Sequence, residues 1–70
     1  MNEIIFLTNE NDDGKYFAVA MGRAITITAN SWDELKSSVR RAVVEFFEDE
    51  KRPQSIRLHL IREEILTIDD

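Results

Sequence analysis

At 70 residues the chain has room for one domain and a thin core, since a domain of that size buries only about 60% of its unfolded surface. It has no cysteine, which excludes disulfides and thiolate-bound metals, and its 14 acidic against 9 basic residues leave a net charge of -5. A surface of that sign is repelled by phosphate backbones, so a basic protein is a better-matched partner than free nucleic acid; equally, the charge serves simply to keep a small domain soluble.

Met1-Asn2-Glu3 lacks the basic start of a secretory leader, and the apolar residues 4–7 are far too few to cross a membrane. A cytoplasmic location is therefore expected. The first element is a strand at Ile4, Ile5, Phe6 and Leu7, an unbroken β-branched and aromatic run that predicts cover on both faces. Residues 9–14 form a polar turn in which Asp13-Gly14 tolerates positive φ. A second strand follows over residues 16–21, and Gly22 marks a tight turn. Residues 24–29 then alternate Ile25 and Ile27 with Thr26 and Thr28 as a third strand. Connections this short make both pairings antiparallel.

Ser31 opens a helix. Ser31-Trp32-Asp33-Glu34 has the spacing of a capping box, in which the serine oxygen accepts the Glu34 amide and the Glu34 carboxylate reaches back. Trp32, Leu35, Val39, Ala42, Val43 and Phe46 recur at helical spacing as one apolar stripe, with Glu34, Ser37, Ser38, Arg41 and Glu45 opposite. Pro53 prevents continuation, and Lys51-Arg52 partly offset the negative end of the helix dipole. The last segment alternates Ile56, Leu58 and Leu60 against Arg57 and His59, which is a strand with one wet face. Ile65, Leu66 and Ile68 either extend that strand or begin a partner contact. The predicted order is β-β-β-α-β, a single α+β domain over residues 1–70. Three strands are antiparallel, the fourth returns parallel to the first by a right-handed crossover, and the helix packs on one face.

This arrangement, with its residues in their order, resembles the HicB family of antitoxins. The resemblance rests on Asp13-Gly14-Lys15-Tyr16, the turn at Gly22, and the helix start Trp32-Asp33-Glu34-Leu35. Arg52-Pro53 leading to Ile56-Arg57-Leu58-His59-Leu60 completes it. It covers nearly the whole chain and is closest to short, single-domain members. The resemblance implies a reduced ribonuclease H-like fold and the antitoxin role of a type II toxin–antitoxin pair. The partner implied is HicA-like, a small basic RNA-cleaving toxin whose active surface the antitoxin masks. Glu10, Asp12, Asp13, Asp33 and Glu34 are the residues expected to meet its lysines and arginines. Two family features do not match. Only Ala20-Met21-Gly22-Arg23 stands where many members carry a Pro-rich, Cys-containing motif. No C-terminal DNA-binding domain is expected either, so operator binding by this chain is not.

Little in the sequence suggests catalysis. A two-metal nuclease of the ribonuclease H type needs carboxylates converging from the first strand, the helix and the fourth strand. The first strand has none at its centre, although Glu63 and Glu64 follow the fourth. Ser31 is a helix cap before it is a nucleophile, and His59 is a lone histidine on a polar strand face. Arg40-Arg41 and Lys51-Arg52 are too sparse for a nucleic-acid patch, and Trp32, Phe46 and Phe47 lie at core spacing. We therefore expect no enzyme, no metal and no cofactor. The alternatives are a residual metal-dependent ribonuclease and a toxin-free structural or regulatory homodimer. Two features stand out from a plain soluble domain. Glu45, Glu48, Asp49 and Glu50 crowd the negative end of the helix, and one helix leaves one face of the sheet bare. That bare face, or edge pairing of strand four and residues 65–68, predicts a homodimer.

Overall fold

The computed structural model describes residues 2–69. It contains β1 (Glu3–Glu10), β2 (Tyr16–Ala20), β3 (Thr26–Ala29), α1 (Trp32–Phe46), a 3-10 turn (Asp49–Lys51) and β4 (Ser55–Ile61). The strands form one mixed sheet in the order β3-β2-β1-β4, antiparallel except that β4 runs parallel to β1. This is the α+β architecture predicted. The turns form where the glycines permit: Gly14 has φ 82° and Gly22 φ 76°, a region that strains other residues. The Gly14 amide donates to the Asn11 carbonyl at 3.1 Å, and the Asn11 amide to Lys15 at 2.7 Å, closing the first hairpin.

Strand alternation sorts β1 into two faces. Ile4, Phe6 and Thr8 are buried toward α1, whereas Ile5 is half-buried and Leu7 is exposed on the far side. The single helix shelters one face only, so the second cover expected for this strand is not supplied by the described residues of this chain. Ala20 and Ala18 lie opposite Phe6 and Thr8 on one side, and Leu58 and Leu60 on the other. Leu35, Val39 and Val43 of α1 complete the core with Ile4, Phe6, Ala18, Ala20, Ile25 and Ala29. The helix packs chiefly over β2 and β3, where the alanines let it approach closely. It reaches β4 less well. A gap of about 140 Å³ separates Lys36, Val39 and Arg40 from Ile56 and Leu58, and Leu60 is 41% exposed.

The helix begins as expected. Ser31 is extended and its Oγ accepts the Glu34 amide at 3.1 Å, a cap worth about 1 kcal/mol. The reciprocal bond from Glu34 is not among the hydrogen bonds of the described residues. The helix end differs from expectation. Phe46, placed in the apolar stripe by its spacing, is 49% exposed. Phe47 leaves the helix with φ -104° and ψ 144° and packs against the core instead, with the Arg23 guanidinium 5.6 Å from its ring centroid. Burying Phe47 thus stops the helix well before Pro53. Glu48, Asp49 and Glu50 consequently lie beyond the helix and impose no cost on its dipole, which leaves only Glu45 in the last turn. Arg52 ties the exit together, donating to Asp49 at 2.8 Å and to the Val44 carbonyl at 3.2 Å.

Thr8 is fully buried in this core and its Oγ1 has no hydrogen-bond partner. A buried hydroxyl without a partner costs more than the apolar atom that replaces it. Thr8→Val is expected to raise stability by about 1 kcal/mol, read as a higher urea midpoint at unchanged slope. A lower midpoint would mean that the hydroxyl is satisfied in solution.

Candidate protein-interaction surface

Antiparallel pairing of β1 with β2, and of β2 with β3, brings Glu10, Tyr16 and Ala29 level with one another. The parallel return of β4 sets Ile61 beside Asn9 at the same end. The first hairpin turn, the start of α1 and the exit from β4 therefore meet at one end of the sheet, and carboxylates gather there. Glu10, Asp12 and Asp13 line a hollow of about 500 Å³ with Asn9, Asn11 and Glu63. Glu34 lines a neighbouring hollow of about 650 Å³, which shares Asn9 and Asn11 and is walled by Phe17 and Thr28. Four of the five acidic residues expected to meet a partner thus come to one end. Asp33 does not join them; it is 92% exposed and pairs with Lys36 at 3.3 Å.

Two cations temper this end without neutralising it. Arg62 approaches Glu10 at 3.8 Å, and Lys15 lines the second hollow. Glu63 is the acidic residue the sequence did not assign to the surface, having drawn notice only as a remnant nuclease carboxylate. Its place follows from the β4 register: two residues past Ile61, it arrives beside the hairpin turn. Among the described residues no three His, Cys, Asp or Glu side chains are grouped so as to hold a metal ion. No helix there is long and apolar enough to cross a membrane.

The acidic end runs onto the face of the sheet away from α1. Alternation puts Ile5, Leu7, Phe17, Val19 and Ile61 on that face, with Leu7 directly opposite Val19. His59 lies opposite Leu7 and is exposed, the solvated strand position expected for it. Arg57 is on the same face and donates to Glu3 at 3.0 Å. Asn9, Phe17, Thr28 and Ile61 carry this apolar face into the two hollows. An apolar centre with a charged margin is an anatomy that protein–protein contacts share.

Neither a family model nor a solved structure matches the chain. Among known proteins it is similar to a UPF0150 protein of Archaeoglobus fulgidus. The two are 47% identical over 51 residues, spanning 73% of this chain and 76% of that protein. At that identity and coverage, the chain belongs to the UPF0150 family.

Proposed function

We propose that this UPF0150 protein is a HicB-like antitoxin that binds a small basic RNA-cleaving toxin of the HicA type and masks its active surface. The observation that carries the proposal is the continuity of the acidic end, Glu10, Asp12, Asp13, Glu34 and Glu63, with the uncovered apolar sheet face. The carboxylates attract and orient a cationic partner during its approach, while the apolar strand residues supply the area that holds it. On this reading the chain has no catalysis of its own and acts by occlusion in the cytoplasm. It fits the HicB-like order of motifs in the sequence, and it accounts for the apolar stripe of Ile5, Leu7, Phe17 and Val19 at the centre of the bare sheet face.

The test is co-expression with a HicA-like toxin from the same genome. A stable complex recovered at moderate salt, together with suppressed RNA cleavage, is the expected result. The absence of both a complex and inhibition would sink the proposal. Residual nuclease activity has no comparable support, since Phe6 and Leu7, not carboxylates, occupy the centre of β1.

A further inference from the structure

β4 is an edge strand, with its inner side bonded to β1 and no strand among the described residues on its outer side. β1 ends at Glu10, so residues 62–69 continue from β4 without a neighbouring strand and without regular secondary structure, only Arg62 and Glu63 lying beside Glu10 and the hairpin turn. The molecule measures 60 × 20 × 17 Å, far longer than a compact body of its size. Yet this exposed segment is apolar at three positions: Ile65 is 89% exposed, Leu66 78% and Ile68 89%. The end of β4 adds Leu60 at 41% and Ile61 at 43%. Five aliphatic side chains along one exposed stretch need a partner, and an open strand edge beside them offers a place for one.

We propose that residues 57–69 of two copies pair antiparallel about a two-fold axis at Glu63, so that each segment following β4 completes the edge of the other copy's β4. A two-fold normal to the sheet keeps every side chain on its own face, so only residues of equal parity meet across it. With the axis at Glu63, Leu60 meets Leu66 of the second copy, Ile61 meets Ile65 and Leu58 meets Ile68. On the same register Arg62 meets Glu64 and Arg57 meets Asp69. All five exposed aliphatics find aliphatic partners, and Arg57 and Arg62, beside Glu3 and Glu10 within their own copy, each meet a second carboxylate.

Neighbouring registers lose this match. An axis at Arg62 sets Leu60 against Glu64 and Ile61 against Glu63, and an axis at Glu64 sets Arg62 against Leu66. The one unfavourable contact of the chosen register is Glu63 with its own copy, flanked by the two Arg62 side chains. The contact shares Ile61 and Glu63 with the acidic end but leaves Glu10, Asp12, Asp13 and Glu34 and the sheet face at Ile5, Leu7, Phe17 and Val19 free for the toxin.

Sedimentation across a dilution series, combined with single-cysteine crosslinking in this otherwise cysteine-free chain, tests the inference. The wild-type chain is expected to be a dimer. Ile65→Glu with Leu66→Glu is expected to weaken it by at least about 100-fold while leaving the circular dichroism and melting unchanged at monomer concentrations. Glu63→Cys, which lies on the axis, is expected to form a disulfide-linked dimer on mild oxidation far more completely than Arg62→Cys. A wild-type monomer at every concentration would overturn the inference. So would a dimer that survives the double substitution, which would place the contact on the sheet face, or preferential crosslinking of Arg62→Cys.

Discussion

Phe6→Ala is expected to remove about half of the protein's stability, roughly 3–5 kcal/mol. Phe6 is fully buried at the centre of the sheet, between Ala20 on β2 and Leu58 on β4. It is the largest side chain in a core whose other strand positions include three alanines, so its neighbours are too small to close over the space it leaves. Truncations of this kind cost about 3–5 kcal/mol. A chain of this size has roughly 4–10 kcal/mol in total, at about 0.05–0.15 kcal/mol per residue. Urea titration at fixed protein concentration measures the loss. A change below about 2 kcal/mol would show that the core collapses readily at that point, contrary to the packing described.

Reversing the acidic end is expected to slow capture of a basic partner by 10- to 1000-fold, roughly the range that electrostatic steering spans. The variant is Glu10→Gln with Asp12→Lys and Asp13→Lys. Asp12 and Asp13 are exposed in a turn whose only positive φ belongs to Gly14, so lysine is accommodated there. Stopped-flow association should show the loss in the on-rate, with a much smaller change in the off-rate and a flatter dependence on salt. Asp33→Lys is the control: it changes the net charge by the same increment as Asp12→Lys or Asp13→Lys but turns away from the hollows. An equal loss per charge at Asp33 would mean that the partner reads overall charge and not this end of the sheet.

Local chemistry made much of the fold legible. Ser31 and Glu34 mark the helix start because a cap is a contact between residues three apart, and Gly14 and Gly22 mark turns because only their own φ matters. The acidic triad Glu10, Asp12 and Asp13 was legible for the same reason, as neighbours on one hairpin. Phe46 and Phe47 could not be told apart by spacing. Either fits a helical stripe, and the choice is made by space beside Arg23 on the β2–β3 turn, distant in sequence. Asp33 and Glu34 were grouped as neighbours, yet one residue of helical rotation sends Asp33 outward and Glu34 to the hollow. Glu63 joins the surface only through the register of a parallel strand pair, which no short-range pattern encodes.

The parallel pairing of β1 with β4 also sets an order of events in folding. The two hairpins and the helix are local and can form early, but β4 docks only after the intervening chain has already folded back. Closing that long loop is an entropic barrier that falls late, and the helix does little to hold β4 once it arrives. In native-state hydrogen exchange the β4 amides should therefore open as a unit of lower stability than the β1–β2 hairpin. Whenever they open, the aliphatic edge of β1 is bare to any strand nearby, so refolding at high concentration competes with strand exchange between molecules.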